Sequence, residues 1–205
     1  MTHELNSLKE SLVKLGVDKV EHTDGDLIAH MLNVYRYLEQ WNRPEHVSLA
    51  GLFHGIYGTH ALQGELAFSL SPGQREEVRT LIGEAAERLV YTYSVMTYES
   101  LGKSIRKSLK TAGPQEVWDR CHNCPIKLTE QEFNDLLWLK FADLLAHIPK
   151  LTGEEQNRVY VEYVPFWEVV ADYLGPVAAN ALNQVWSEHS ASQNSYREGN
   201  LCEAK

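Results

Sequence analysis

Cysteine is scarce in this chain: Cys121, Cys124 and Cys202 are the whole supply. An odd number cannot close a disulfide framework, and no secretion signal accompanies them. Residues 1–19 mix Glu, Lys and Asn with Leu and lead into no long apolar run. These absences point to a reducing, cytoplasmic setting. No apolar stretch is long enough for a membrane span, so no membrane partner is expected. Positive charge is in deficit, with 19 Lys and Arg against 28 Asp and Glu, a net charge of -9. That balance repels phosphate backbones and argues against nucleic acid, but leaves room for a local basic pocket taking a small phosphorylated ligand. Period-two alternation is absent over any length, so no strand is expected.

What the chain does contain is helical patterning. Apolar residues make up 43% and charged residues 23% of the 205 positions, an ordinary globular mixture. Leu5, Leu8, Leu12, Val13 and Leu15 recur at helical spacing up to Gly16. A long helix is predicted over 26–42, with Leu27, Met31, Val34, Leu38 and Trp41 on its apolar face and His30 beside it. Pro44 opens a mostly buried helix that ends at His54. Residues 74–94 read as one helix, and 101–110 as a basic, weakly patterned stretch. Thr129 to Glu132 forms a capping box for a further helix, closed near Pro149. A segment starting at Thr152, interrupted at Pro165, and a last helix over 177–190 follow. The expected architecture is an all-α, single-domain helical bundle over residues 1–190, with residues 191–205 a disordered tail.

Three residues invite chemistry. His30 sits on the long helix, His54 ends the next one, and Asp143 lies in the largely apolar run Leu139 to Leu145. A carboxylate among apolar neighbours is costly unless paired, hydrogen-bonded or metal-bound. Imidazole with carboxylate suits manganese, iron or zinc. Three protein ligands with open positions are what a catalytic metal requires. Taken singly, each has a plain alternative: a helical histidine is usually a hydrogen-bonded core or surface residue, and a buried aspartate can pair with an arginine. Cys121-His122-Asn123-Cys124 offers two of the four ligands a structural zinc needs, with no second pair at suitable spacing. It reads as a reduced loop.

His30-x-x-x-Val34, then Leu49 to His54, then Ala142-Asp143-Leu144-Leu145 resemble the signature helices of the HD-domain superfamily. That resemblance, by motif order over about residues 20–150, implies an all-helical fold. It implies mostly metal-dependent phosphohydrolase chemistry, with a branch of di-iron oxygenases. The run from Leu139 to His147 resembles the last metal-ligand helix of alarmone hydrolases. The run from Leu52 to Thr59 is similar to a group of uncharacterised bacterial HD-like proteins, in which His22, His30, Trp41, the Tyr57-Gly58-Thr59 turn, Arg75 and the helix from Glu84 to Tyr91 belong to the pattern. In the superfamily the second histidine is followed by an aspartate that ligates metal and, in dinuclear members, bridges two metals; here Gly55 stands there. The resemblance therefore implies a mononuclear site of His30, His54 and Asp143, with His22 or His60 as a fourth ligand, or no metal at all. Arg75, Glu84, Glu87 and Tyr57 are the candidates for catalysis, with Glu84 and Glu87 one turn apart and a general base among them. Three readings stay open. The first is a metal-dependent hydrolase of a small phosphorylated or anionic metabolite. The second is a non-catalytic protein binding a small-molecule ligand or partner, and the third is a mononuclear-iron oxygenase. Homodimerisation is compatible with each.

Overall fold

The computed structural model describes residues 2–19, 21–22, 25–58, 72–150 and 165–203, with side chains over 5–18, 27–58, 73–149 and 165–190. Helices dominate, as the 3.6-residue patterning predicts. The chain divides into two compact units, Met1–Asp143 and Leu144–Lys205.

In the first unit, α1 spans Thr2–Lys14 and a 3₁₀ turn, Val17–Lys19, follows it. Two residue pairs, β1 (Glu21–His22) and β2 (Gly25–Asp26), close a tight antiparallel ribbon. Helix α2 spans Leu27–Gln40 and packs on α3, Glu45–Phe53. Met31, Val34 and Leu38 are fully buried along α2. Each such side chain contributes about 1.5–3 kcal/mol on leaving water. Pro44 caps α3, where a missing N–H is no loss.

The stretch read as one helix over 74–94 is two: α4, Pro72–Ile82, and α5, Glu84–Val95. Gly83 separates them with φ +83°, a conformation that a glycine adopts without steric cost and that no helix interior permits. The weakly patterned basic stretch is α6, Tyr98–Ser108, with Thr97 as N-cap accepting from the Ser100 N–H. Its apolar side is only Leu101 and Ile105, too sparse to stand out as a period.

The expectation of no strand is corrected by a hairpin. Strand β3, Gln115–Asp119, pairs antiparallel with β4, Cys124–Leu128. The alternation was concealed because β4 is mostly exposed, whereas β3 buries Gln115, Val117 and Asp119 in turn. Two of those three are polar, so hydropathy carries no period. The Cys121-His122-Asn123 turn joins the strands, with Asn123 at φ +54°. Helix α7 spans Glu130–His147. Its Trp138 and Phe141 rings lie against Trp41.

In the second unit, the 3₁₀ turn Ile148–Lys150 packs on α9, Pro176–Glu203. Residues 165–174 form α8, broken from α9 at Gly175. Ala178, Leu182, Val185 and His189 are buried along α9 at helical spacing. The polar tail expected beyond residue 191 continues α9 as helix to Glu203. The helix start expected at Thr152 lies outside the described residues.

Candidate metal centre

His30 comes from the middle of α2 and is 1% exposed; His54 is the C-cap of α3 and is 2% exposed. Asp143 comes from α7, 113 residues beyond His30, and is also buried. Their side chains converge. His30 Nε2 stands 3.1 Å from Asp143 Oδ1 and 3.3 Å from His54 Nε2. His54 Nε2 is 3.4 Å from the same Oδ1. The two imidazoles meet edge-on, at an interplanar angle of 67°.

The surroundings orient each donor. His54 Nδ1 lies 2.8 Å from the Gly51 carbonyl oxygen. A carbonyl can only accept, so Nδ1 carries a proton, and in the neutral imidazole it is Nε2 that presents the lone pair. Asp143 divides its two oxygens. Oδ1 faces the histidines, while Oδ2 accepts from Tyr93 OH and, at 2.8 Å, from the Lys140 ammonium. Tyr93 closes the other side, its ring edge-on to His54. Lys140 lies over the faces of Tyr93 and Tyr98. Burial works against the Lys140 charge, but the Asp143 carboxylate outweighs it and holds the ammonium's pKa well above its usual value. Burial pushes the Tyr93 hydroxyl up, as does the adjacent carboxylate.

These distances meet a simple geometric test. Ligand atoms about 2.0–2.1 Å from a tetrahedral cation stand about 3.3–3.4 Å from one another. The three separations fall at or near that edge length, and two of them exceed the usual length of a hydrogen bond. Two imidazole nitrogens and one carboxylate oxygen form a donor set that manganese, iron or zinc accepts. Among the described residues, this is the group of three or more His, Cys, Asp or Glu side chains placed closely enough to hold a metal ion.

The other candidates separate. His60 lies outside the described residues, and so does the side chain of His22, whose backbone pairs with Gly25 in β1. Glu84 is exposed, so it does not share a buried face with Glu87. Glu87 is 1% exposed and forms a second cluster with two of the remaining candidates. Arg75 grips it in a two-bond fork, Nε to Oε1 at 2.7 Å and NH2 to Oε2 at 3.0 Å, and Tyr57 OH donates to Oε1. Arg79 approaches at 3.5 Å. Burial and the Glu87 charge raise the Tyr57 pKa. Engaged on both oxygens, Glu87 is half of a buried ion pair. The Arg75 guanidinium also stacks on Tyr91, whose hydroxyl reaches Asp119.

Residues 11–97 match the family described as a domain of unknown function, DUF6817. The matched span is less than half of the chain. It contains His30, His54, the Tyr57–Arg75–Glu87 cluster and Tyr93, and it stops short of Lys140 and Asp143. No curated protein and no solved structure matches the chain.

Tyr93 and Lys140 are the residues that sequence patterning passed over. Lys140 carries a faint signal, since it precedes Asp143 by three positions and so shares its helix face. Tyr93 carries none, because its place depends on how α5 packs.

Proposed function

We propose that His30, His54 and Asp143 hold a single divalent metal ion in an HD-like helical protein, and that the centre acts on a small phosphorylated or otherwise anionic metabolite. The observation that carries this reading is the set of three donor atoms separated by tetrahedral edge lengths, with the His54 tautomer preset by Gly51. A metal there would supply Lewis acidity toward a substrate oxygen. The protein's own residues do the rest. Gly51 holds His54 in its ligating tautomer. Tyr93 and Lys140 keep Oδ2 occupied so that Oδ1 stays turned to the histidines. The Lys140 ammonium offsets the Asp143 charge, so a divalent ion would leave the centre cationic overall, a polarity that favours an anion.

A second reading, binding without turnover, is favoured by two observations. Gly55 supplies no ligand atom where the superfamily resembled here has a metal-ligating aspartate, and Glu87 is locked by Arg75. The deciding experiment is metal analysis of purified protein, followed by calorimetric titration of manganese, zinc and ferrous ions and assay against a panel of phosphate monoesters. One metal per chain, lost in His54→Ala, with metal-dependent phosphate release, supports the hydrolase. One metal without turnover supports the binding protein. Iron with oxygen uptake would replace both by an oxygenase, and the absence of any metal binding would defeat the site itself.

A further inference from the structure

A second feature lies apart from the metal centre, along α6. Ser100, Lys103, Ser104 and Lys107 recur at i, i+3, i+4 and i+7, which places them on one helix face. That face walls a groove of about 430 Å³, shared with Glu116, Val117 and Trp118 of β3 and Pro125 of β4. The volume falls within the range of small-molecule sites, about 300–1,000 Å³. Trp118 and Pro125 are cross-strand partners in the hairpin. The Trp118 side chain is 40% exposed, whereas Trp41 and Trp138 are buried. An indole left at the mouth of a groove is a large apolar plate without a covering.

Of the charged residues that line the groove, Lys103 and Lys107 stand against Glu99 and Glu116, so the groove is balanced in a protein of net charge -9. Neither groove lysine is tightly held. Lys103 pairs with Glu99 in an i,i+4 contact between two exposed side chains, which contributes little in water. Lys107 reaches the Pro114 carbonyl at a long 3.4 Å. Both ammoniums can turn to an anion at small cost. Glu116, exposed on the opposite wall, is an acceptor suited to sugar hydroxyls.

We propose that this groove binds a free nucleotide, with the base on the Trp118 face and the phosphates on Lys103 and Lys107. Stacking on an aromatic plate tolerates any base, so selectivity among bases is weak. The overall negative charge disfavours a nucleic-acid polymer at the same place. The site is independent of the metal centre and is read with chelator present.

The test is calorimetric titration of ADP into the full chain in EDTA. Saturable binding of one ADP per chain is expected, weakened about tenfold or more by Lys107→Glu and by Trp118→Ala. Inorganic pyrophosphate, which lacks the ring, is expected to bind at least about tenfold more weakly than ADP. Lys107 is a surface residue at the C-terminal end of α6, so its variant retains the fold and keeps the test decisive. The proposal is overturned by no saturable binding at millimolar ADP, by equal affinity in the Lys107→Glu protein, or by pyrophosphate binding as tightly as ADP.

Discussion

Asp143 sends its two oxygens in different directions, and the consequence can be measured. Tyr93 and Lys140 hold Oδ2 while Oδ1 faces His30 and His54. Partners of this kind set ligand orientation, and removing one typically costs about 10–100-fold in metal affinity. Tyr93→Phe keeps the ring that packs on His54 and deletes only the hydroxyl. It is expected to bind zinc or manganese about 10–100-fold more weakly than the wild type. Calorimetric titration checks this, and equal affinities would show that the hydroxyl does not position the ligand. Gly55 gives the second residue-scale prediction. A Cβ built there stands 3.2 Å from the Met31 thioether and 3.3 Å from Leu27. The new side chain of Gly55→Asp therefore starts against apolar α2 surface. Stability is expected to fall by about 1–3 kcal/mol from crowding and carboxylate burial. Metal affinity rises only if the carboxylate swings to the histidines. Denaturation and metal titration of the same variant separate the two effects, and an unchanged denaturation midpoint would refute the crowding.

At the scale of elements, the break between α4 and α5 does most to place the Glu87 cluster. Arg75 and Arg79 lie on α4, Glu87 in the first turn of α5, and Gly83 turns the chain between them. A Cβ at Gly83 meets nothing within 4 Å, so the only obstacle to a larger residue is the backbone angle. Gly83→Ala is expected to cost roughly 1–2 kcal/mol, measured by chemical denaturation. A neutral or stabilising result would show that the two helices can merge without penalty. The hairpin follows a different logic. Asp119 accepts the Cys121 and His122 backbone N–H groups and the Tyr91 hydroxyl, and so binds the turn to α5. Burial works against its charge, but the bonds from Tyr91 and from His122 and Cys121 outweigh it and hold the Asp119 carboxyl below its usual value. A lowered folded-state value means stability present above the ordinary carboxylate range and lost as pH falls through the folded value. Asp119→Asn is therefore expected to flatten the acid limb of a stability–pH curve below about pH 4. An acid limb identical to the wild type would remove Asp119 from that role.

For the molecule as a whole, metal and folding are linked. An ion that binds only the folded chain raises stability by RT ln(1 + [L]/Kd), about 2.7 kcal/mol at one hundred times Kd. The wild-type melting temperature is expected to rise with added zinc or manganese, and that of Asp143→Ala is not. A rise of equal size in both would place the metal elsewhere. No helix among the described residues is long and apolar enough to cross a membrane, in agreement with the absence of long apolar runs. Helical class, the apolar faces of α2 and α7, and the chemical eligibility of His30, His54 and Asp143 are all readable in the amino-acid order. Each depends on residues a few positions apart, or on the cost of burying one polar group.

The rest required the packed chain. Glu84 and Glu87 looked equivalent one turn apart, but only Glu87 meets Arg75 and Tyr57 in the interior. The β3–β4 hairpin is stabilised by partners outside itself, including the Ser100 hydroxyl that accepts the Trp118 N–H, and no local alternation records them. Tyr93 and Lys140 acquire their tasks only when α5 and α7 come together. The amino-acid sequence by itself determined the helical class of the chain and which side chains are chemically eligible to ligate a cation. The tertiary structure decided which of those side chains meet, because distances between residues more than a hundred positions apart are set by helix packing and not by local periodicity.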